Sequence, residues 1–478
     1  MFLVNLNLKY MNNYIFRILV LASLSLLGSC RIGKQQATPE LDLPAAYRAT
    51  PVVSSAETVL PVREFFKDPV LLELIDSAMA KNYDLNMAVK SIESSEQVFK
   101  KVKLNYLPDL TARMDANTTR PSKNSLGGIG NELFIGSYSV ADFNTNLGLT
   151  WEIDIWGKVR TQKEEALSNY LQSVEATKAV QTRLVADIAN GYYNLIMLDN
   201  QLRVAENMEA ISDSTLRIIT VQQSVGQVTI LGVNQARAQL EFARQLIPQI
   251  EQSIALQENA LSILCGSYPA AVVRKDFNEE EIIALTKPAY PASLLGARPD
   301  VRAAEHTLTA ANARVGLTQI AMYPSLTISA TGGLNTFKAS NWFSVPASLF
   351  GMVAGGISQP VFLRGQLKMQ HELAKIEREK AVLGFRQSVL LAVGEVENAL
   401  VRQEKNDLQI QSSLSRVKSL TEARKNADLL FKTGMATYLE ILNTQSAYLQ
   451  SELDLAELKR QKKLAAIELY RALGGGWK

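Results

Sequence analysis

The sequence predicts a mainly helical, internally duplicated chain in which each half joins a pair of long antiparallel helices to a short β region. Three observations carry this prediction. Two stretches of about 68 residues, from Gly157 to Ser224 and from Gly365 to Thr433, contain no proline and are rich in Ala, Leu, Glu, Gln, Lys and Arg, the strong helix formers. Landmarks along the first half return in the second at a shift of about 210 residues. Between the helical stretches, apolar and polar residues alternate with period two.

Within the first long stretch, apolar residues recur at spacings of three and four, through Leu184, Ile188, Tyr192, Leu195, Leu198 and Leu202. At 1.5 Å per residue each stretch makes a helix of roughly 100 Å, far longer than a globular domain, so such helices must run side by side in a coiled-coil-like layer. Gly226 and Gly434 each follow a long helix and precede another of about 35 to 40 residues. Glycine suits the left-handed conformation that ends a helix, so each half holds a long helical hairpin. Pro248 predicts a kink or break in the first return helix.

The duplication is read from ordered matches. Tyr106-Leu107-Pro108-Asp109-Leu110 answers Met322-Tyr323-Pro324-Ser325-Leu326, and Trp156-Gly157 answers Phe362-Leu363-Arg364-Gly365. Val225-Gly226-Gln227-Val228-Thr229-Ile230-Leu231 answers Thr433-Gly434-Met435-Ala436-Thr437-Tyr438-Leu439, and Leu264-Cys265-Gly266 answers Leu473-Gly474-Gly475.

The β regions follow a different period. From Phe143 to Ile155 the odd positions are mostly apolar and the even ones polar or glycine, an alternation of 13 residues. That is long for a globular strand and suits a tilted transmembrane strand of about 9 to 11 residues. Leu326, Ile328, Ala330 and Leu334 alternate with Thr327, Ser329 and Thr331, and Phe350 to Phe362 supplies a further, Gly-rich strand. The segments Asn117 to Asn131 and Asn335 to Asn341 suit outer loops, and Trp151, Trp342 and Phe343 suit an aromatic girdle. Alternation alone leaves a second reading open, a water-soluble sheet with one face packed on a core. Two strands per half make four per chain, which cannot close a membrane barrel, and open edges in lipid leave backbone groups unsatisfied. Membrane strands here therefore require several chains sharing one barrel, with cyclic symmetry the default.

Composition excludes much chemistry. The 478 residues carry 50 Lys+Arg against 47 Asp+Glu, a net charge of +3, with no basic concentration of the kind nucleic-acid binding needs. Two cysteines rule out a disulfide framework, and two histidines, His306 and His371, lack partners at metal-site spacing. Both histidines read as ordinary polar helix residues and Cys265 as a packed residue at a helix end. Glu377 with Lys380, and Glu395 with Asn398, read as exposed helix surface, and Gly127-Gly128 and Gly332-Gly333 as strand or loop glycines without a phosphate loop's lysine. No catalytic group, cofactor or metal is expected.

The N-terminus is an export address. Arg17 precedes a ten-residue apolar run, Ile18 to Leu27, too short to span a bilayer, and Met11 competes with Met1 as the start. Leu27-Gly28-Ser29-Cys30 resembles a bacterial lipobox, which implies cleavage before Cys30 and lipidation of its thiol; the alternative is an ordinary signal with an incidental cysteine. The expected organisation is a signal peptide over 1–29 and a lipidated extended tether over 30–67. A first repeat then covers 68–297 (β-hairpin 106–156, helical hairpin 157–264), and a second covers 298–478 (β-hairpin 324–363, helical hairpin 364–473).

Five landmarks together resemble the TolC/OprM family of outer-membrane efflux proteins, in its lipoprotein (NodT-like) branch. They are Trp151-Glu152-Ile153-Asp154-Ile155-Trp156-Gly157-Lys158-Val159-Arg160; Arg298-Pro299-Asp300-Val301 with Ala304-Glu305; Gln359-Pro360-Val361-Phe362 with Gly365; Gly434 before Tyr438-Leu439-Glu440-Ile441-Leu442; and Leu469 to Trp477. The resemblance implies a mainly α fold with a membrane β-barrel contribution. Four strands per chain complete a trimeric twelve-stranded barrel, and the long helical hairpins form a periplasmic α-barrel. It implies a homotrimer in the outer membrane, drawing drugs or other small solutes from an inner-membrane pump, most often of the resistance-nodulation-division type, through a periplasmic adaptor. It also implies a gate near the hairpin tips. The family's apolar gate position matches Leu439, its acidic position matches Asn443 and a following Arg matches Ser446, so a gate here would be held by packing and neutral hydrogen bonds rather than by a carboxylate ring. The plainer reading of Asn443 is a solvated helix residue. Two other functions stay in view, a duct for type I polypeptide secretion and a secreted structural coiled-coil protein; the second leaves the duplicated alternation unexplained.

Overall fold

The computed structural model describes residues 60–275, 296 and 298–477. The signal segment, Cys30 and most of the tether lie outside them. The chain divides into two compact units. Of the described residues, the first holds 95–170 and 307–382, and the second holds 60–94, 171–275, 296, 298–306 and 383–477.

In chain order the helices and strands are α1 (Val62–Phe65), α2 (Pro69–Lys81), α3 (Tyr83–Leu104), β1 (Asp109–Thr119), α4 (Leu126–Ile135), β2 (Val140–Ile153), α5 (Lys158–Ser224) and α6 (Ile230–Leu264). They continue with α7 (Pro299–Ile320), β3 (Ser325–Thr336), β4 (Leu349–Ser358), α8 (Gln366–Lys432) and α9 (Tyr438–Ala472). The duplication is metrical. Both long helices have 67 residues and both return helices have 35, and each pair starts 208 residues apart (158 and 366, 230 and 438).

In the first unit, β1 to β4 form one antiparallel sheet in the order β1-β2-β3-β4, so the two halves of the chain meet where β2 pairs with β3. Gly333 marks how closely they meet, since a Cβ there would lie 2.1 Å from the Thr145 carbonyl oxygen. Strand β2 ends at Ile153 because Asp154 turns to cap α5, accepting hydrogen bonds from the Val159 and Arg160 amides at 2.9 and 3.2 Å.

In the second unit the core gathers Leu71, Ile75, Ile188, Tyr192, Leu261 and Ile467, all at most 3% exposed. Phe65 and Phe66 are fully buried with them, and the Phe65 ring stacks on Tyr470 at 4.1 Å. Burial pushes the Tyr470 hydroxyl up to about 12, against a lowering backbone hydrogen bond from Gly476. The extended tether expected to reach residue 67 therefore ends earlier. Two phenylalanines bury too much apolar surface to stay in solvent once a core groove is available. Asp68 then starts α2, accepting from the Val70 amide at 2.8 Å while the Tyr192 hydroxyl donates to its other oxygen. Asn82 separates α2 from α3, capping Leu85 N at 2.9 Å and donating to the Leu264 carbonyl at the end of α6 at 2.9 Å.

Three further expectations change. The break that Pro248 could impose does not occur: α6 continues through it, flanked by Ile250 and Ile254 buried in the core and by Leu246 and Ile247 packed against it. Tertiary packing there outweighs the missing amide hydrogen bond. The segment 117–131 is not all loop, because β1 continues to Thr119 and α4 begins at Leu126. Its glycines Gly127 and Gly128 hid the helix from a propensity argument, but Ser125 caps one end at 3.2 Å and Gly136, left-handed at φ 72°, caps the other. The last strand stops at Ser358 rather than reaching Phe362.

Candidate functional site

Register decides what the sheet does. Leu110 pairs with Leu149, Ala112 with Leu147, and across the next seam Leu149 pairs with Ala330 and Trp151 with Ile328. On β4, Val353 faces Ala330 and Ile357 faces Leu326. Residues directly opposite share a face, so these apolar side chains form one surface. The other surface carries Thr111, Arg113, Asp115, Asp142, Asn144, Asn146, Thr327, Ser329 and Thr331. Hydrogen bonds knit this polar side, Asn335 donating to Asp142 at 2.8 Å and Asn146 to Asn144 at 2.9 Å.

Among the described residues, nothing in the first unit covers the apolar surface. Leu110 is 68% exposed, Met114 62%, Val353 80% and Ile357 76%. A water-soluble sheet would bury that face on a core, so the second reading of the alternation fails here. Strands β1 and β4 each have a single paired side in the described sheet, and every β1 residue is exposed. A two-faced sheet with two unpaired edges is a segment of a barrel rather than a finished structure.

Aromatic residues sit at both ends of the strands. Toward the loops, Phe143 meets Trp342 at 5.0 Å and Trp342 stacks on Phe343 at 5.4 Å. At the opposite end, Trp151 Nε1 donates to the Tyr106 carbonyl at 3.1 Å and Trp156 Nε1 to the Pro324 carbonyl at 2.7 Å. Amphipathic rings in two bands suit the two interfaces of a bilayer.

The long helices also want a neighbour. On α8 the exposed Met369, Ile376, Leu383 and Leu390 recur every seven residues, a single apolar row of the kind that one position of a heptad makes. Among the described residues no helix is long and apolar enough to cross a membrane.

In the second unit both hairpin turns have the same construction. Gly226 (φ 79°) and Gly434 (φ 76°) are left-handed, and the amides that follow them reach back five residues, Gln227 N to Gln222 O at 2.9 Å and Met435 N to Leu430 O at 2.8 Å. After each turn a threonine precedes the return helix, and Glu440 closes the second by accepting from the Thr437 amide at 2.6 Å. The turns pack over a cluster of Ile219, Val233, Phe431, Ile441 and Leu442. Leu439, Asn443 and Ser446 lie at i, i+4 and i+7 on the outward face of α9, with Ile441 and Gln445 buried on the other side and Leu442 buried at its flank. The structure thus brings the three residues singled out in the sequence onto one exposed stripe. Glu440, the carboxylate nearest Leu439 in sequence, is committed to its cap.

Sequence reasoning missed a buried electrostatic cluster. Arg298, 4% exposed, precedes α7 and donates to Asp300 at 3.0 and 2.7 Å, to Glu395 at 2.7 Å and to the Ala472 carbonyl at 2.9 Å. Glu395 also pairs with Arg471 at 3.1 Å. Glu395 is therefore an ion-pair anchor rather than exposed helix surface, because a buried guanidinium needs carboxylates within reach. Burial acts to raise the Asp300 pKa, but Arg298 outweighs it and holds that carboxyl below the usual range. Arg298-Pro299-Asp300 was visible in the sequence, and only its distant partners were not. Arg274 makes a similar clasp, with Asp199 at 2.8 Å and with Glu258.

The remaining candidates are ordinary packing or surface. Cys265 caps the end of α6, is 5% exposed and has its thiol pKa pushed up by burial. His371 Nδ1 lies 3.1 Å from Thr318 Oγ1, His306 is half-buried, and Glu377 pairs with Lys380 at 2.7 Å on the surface. No group of three or more His, Cys, Asp or Glu placed to hold a metal occurs among the described residues.

The uncovered apolar sheet, its polar opposite face and the paired long hairpins define a channel-forming protein of the outer-membrane type. Residues 74–267 and 290–475 match the family described as "Outer membrane efflux protein". The chain is 28% identical over 459 residues to the cation efflux system protein CusC of Escherichia coli O6:H1, covering 94% of this chain and 96% of that one. It is 26% identical over 468 residues to the probable outer membrane lipoprotein SilC of Salmonella typhimurium, covering 96% and 99%. The open-state crystal structure of the MtrE outer membrane channel of Neisseria gonorrhoeae superposes with a TM-score of 0.83 at 25% identity, over 94% of this chain and 99% of that one. The chain belongs to the outer membrane efflux protein family. It is an outer-membrane efflux channel and not an enzyme.

Proposed function

We propose that three copies close one twelve-stranded barrel, β4 of each pairing with β1 of the next, and that their long hairpins line a periplasmic duct. The observation that carries this reading is the four-stranded sheet with an uncovered apolar face and two unpaired edges. Unpaired edges in lipid leave several kcal/mol of unsatisfied backbone at each group, so closure by identical neighbours is the stable solution. The heptad stripe on α8 supports the same copies meeting along their helices. Cys30 carries the lipid anchor, in keeping with the lipoprotein name of SilC.

The duct accepts drugs or other small solutes from a periplasmic adaptor and an inner-membrane pump of the resistance-nodulation-division type. Its periplasmic constriction is the Leu439–Asn443–Ser446 stripe, apolar and neutral, holding by packing and hydrogen bonds instead of charge. Transport through it makes and breaks no bond, so the residues act by size, polarity and position. Imaging of the mature protein extracted from outer membranes tests the assembly: a three-fold cylinder is expected, and a monomer or two-fold particle overturns it. Single-channel recording tests the gate. Asn443→Asp places a carboxylate ring at the constriction and is expected to raise cation selectivity, whereas unchanged selectivity and gating remove Asn443 from the pore.

A further inference from the structure

Helix α4, between β1 and β2, turns its apolar side chains outward. Leu126 is 92% exposed, Leu133 75% and Phe134 89%, with Ile129 at 48%. At 100° per residue these four lie within an arc of about 140°, a continuous stripe on a ten-residue helix. The conformation is fixed locally. Ser125 and Gly136 cap the two ends, the Tyr138 hydroxyl donates to Glu132, and the Lys123 ammonium sits over the Tyr138 ring at 4.9 Å. Gly128 packs so tightly on Ser122 that a Cβ would lie 2.1 Å from its carbonyl oxygen. The loop thus presents an apolar stripe that no packing partner in the described chain relieves, beside two exposed cations, Arg120 and Lys123.

We infer that α4 is an interfacial helix, lying in the headgroup region of the outer leaflet with its apolar stripe in the acyl boundary and Arg120 and Lys123 toward lipid phosphates. An apolar helical face flanked by basic residues is the pattern of a surface-bound amphipathic segment. Short connections join it to β1, which ends at Thr119, and to β2, which starts at Val140, two strands that carry the apolar face. At the loop end of the strands, on the apolar face, Phe143 packs against Trp342, and Trp342 against Phe343, 64% exposed. Self-association of α4 across the barrel mouth is the competing arrangement. It would gather the cations of all copies around one axis and seal the outlet through which cargo leaves. The helix is accordingly a collar that fixes the depth and tilt of the barrel rim, a role distinct from the strands it follows.

This inference rests on the membrane-spanning reading of the sheet, and one experiment separates the two. Nitroxide labels at Leu133→Cys, and separately at Leu147→Cys on the apolar sheet face, are introduced into the full chain with Cys265→Ser. Each is reconstituted in phosphatidylethanolamine–phosphatidylglycerol vesicles. Collision with oxygen, which concentrates in lipid, is compared with collision with a water-soluble nickel chelate. Both labels are expected to favour oxygen several-fold over a label at Asn131→Cys on the other side of α4. A lipid-buried Leu147 label with a water-exposed Leu133 label overturns the collar alone, and two water-exposed labels overturn the membrane sheet. Dipolar broadening between copies at Leu133 also overturns the collar, in favour of a closed mouth. Phe134→Cys serves as a second reporter if the Leu133 variant does not assemble.

Discussion

The Gln445 amide donates a 2.8 Å hydrogen bond to Thr215 Oγ1, joining α9 to α5 across 230 residues of chain. Both residues are buried, at 4% and 7% exposed, in a seam whose neighbouring layers are apolar. On one side lie Ile219, Ile441 and Leu442, and on the other Met208, Ala243 and Leu449. Gln445 occupies the inward face of the same helical turns whose outward face carries Asn443 and Ser446. A single polar layer in an apolar seam fixes register at some expense in stability, so it sets where the gate stripe points.

Thr215→Val leaves the Gln445 amide buried without an acceptor and is expected to destabilise the second unit by about 1–3 kcal/mol. Replacing both, Thr215→Val with Gln445→Leu, removes donor and acceptor together and is expected to come close to neutral. Thermal unfolding of the four variants of the cycle measures this. A double variant as unstable as the single one removes the hydrogen bond as the cause.

The turn glycines make a purely conformational prediction. Nothing lies within 4 Å of a Cβ built on Gly226 or Gly434, yet both have φ near 80°. Gly434→Ala therefore meets no clash and is expected to cost about 1 kcal/mol through the left-handed backbone alone. Faster amide hydrogen exchange at Met435, whose N–H closes the turn on Leu430, is the readout; exchange as slow as in the unaltered protein contradicts it.

Arg298→Ala strips three partners from a buried guanidinium site and is expected to destabilise by about 2–4 kcal/mol. The value sits near the low end for a broken buried pair, because Glu395 keeps Arg471 and Asp300 is partly exposed. Arg298→Lys retains the charge but loses the two-toothed grip on Asp300, and is expected to fall between the two. Melting curves that rank the lysine variant with the alanine one would locate the stability in geometry rather than charge.

The same cluster predicts a pH dependence. Burial and Arg298 pull the Asp300 carboxyl in opposite directions and Arg298 wins, so its folded pKa lies below the unfolded value. Its contribution to stability is thus complete above the unfolded pKa, about 4, and is lost as pH falls through the folded one. The difference in melting temperature between the parent and Arg298→Met is expected to shrink on acidification from pH 6 toward pH 3. A constant difference across that range would show that Asp300 titrates independently of Arg298.

The sheet's two faces predict opposite tolerances one residue apart. Leu147→Arg puts a cation on the apolar face and is expected to cost about 2–4 kcal/mol near mid-membrane, whereas Asn146→Arg on the polar face is expected to be nearly silent. Urea titration of the reconstituted protein in vesicles distinguishes them. Equal costs would mean that the alternation does not separate lipid from water.

Several elements were legible from residues alone because the physics behind them is local. The proline-free runs from Gly157 to Ser224 and from Gly365 to Thr433 correspond to α5 and α8, and Gly226 and Gly434 to the turns four residues before α6 and α9 begin. Alternation located β2 and β3, and the matches about 210 residues apart correspond to an observed offset of 208. Helix α4 was missed because three glycines mask a helix held by caps and by Tyr138. Pro248 does not break α6 because packing on both sides of it overrides a local penalty.

By itself, then, the sequence determined the long helices, their glycine turns, the duplication and the two-faced strands, since period and backbone freedom are written within a few residues. Tertiary structure alone decided the rest. It paired β2 with β3, left the apolar face of the sheet uncovered, buried Phe65 and Phe66, brought Glu395 to Arg298 and set Gln445 against Thr215. Each depends on side chains that meet across tens to hundreds of residues. Their partners are chosen by register and by the burial of charge and apolar surface, quantities that exist only once the chain has folded.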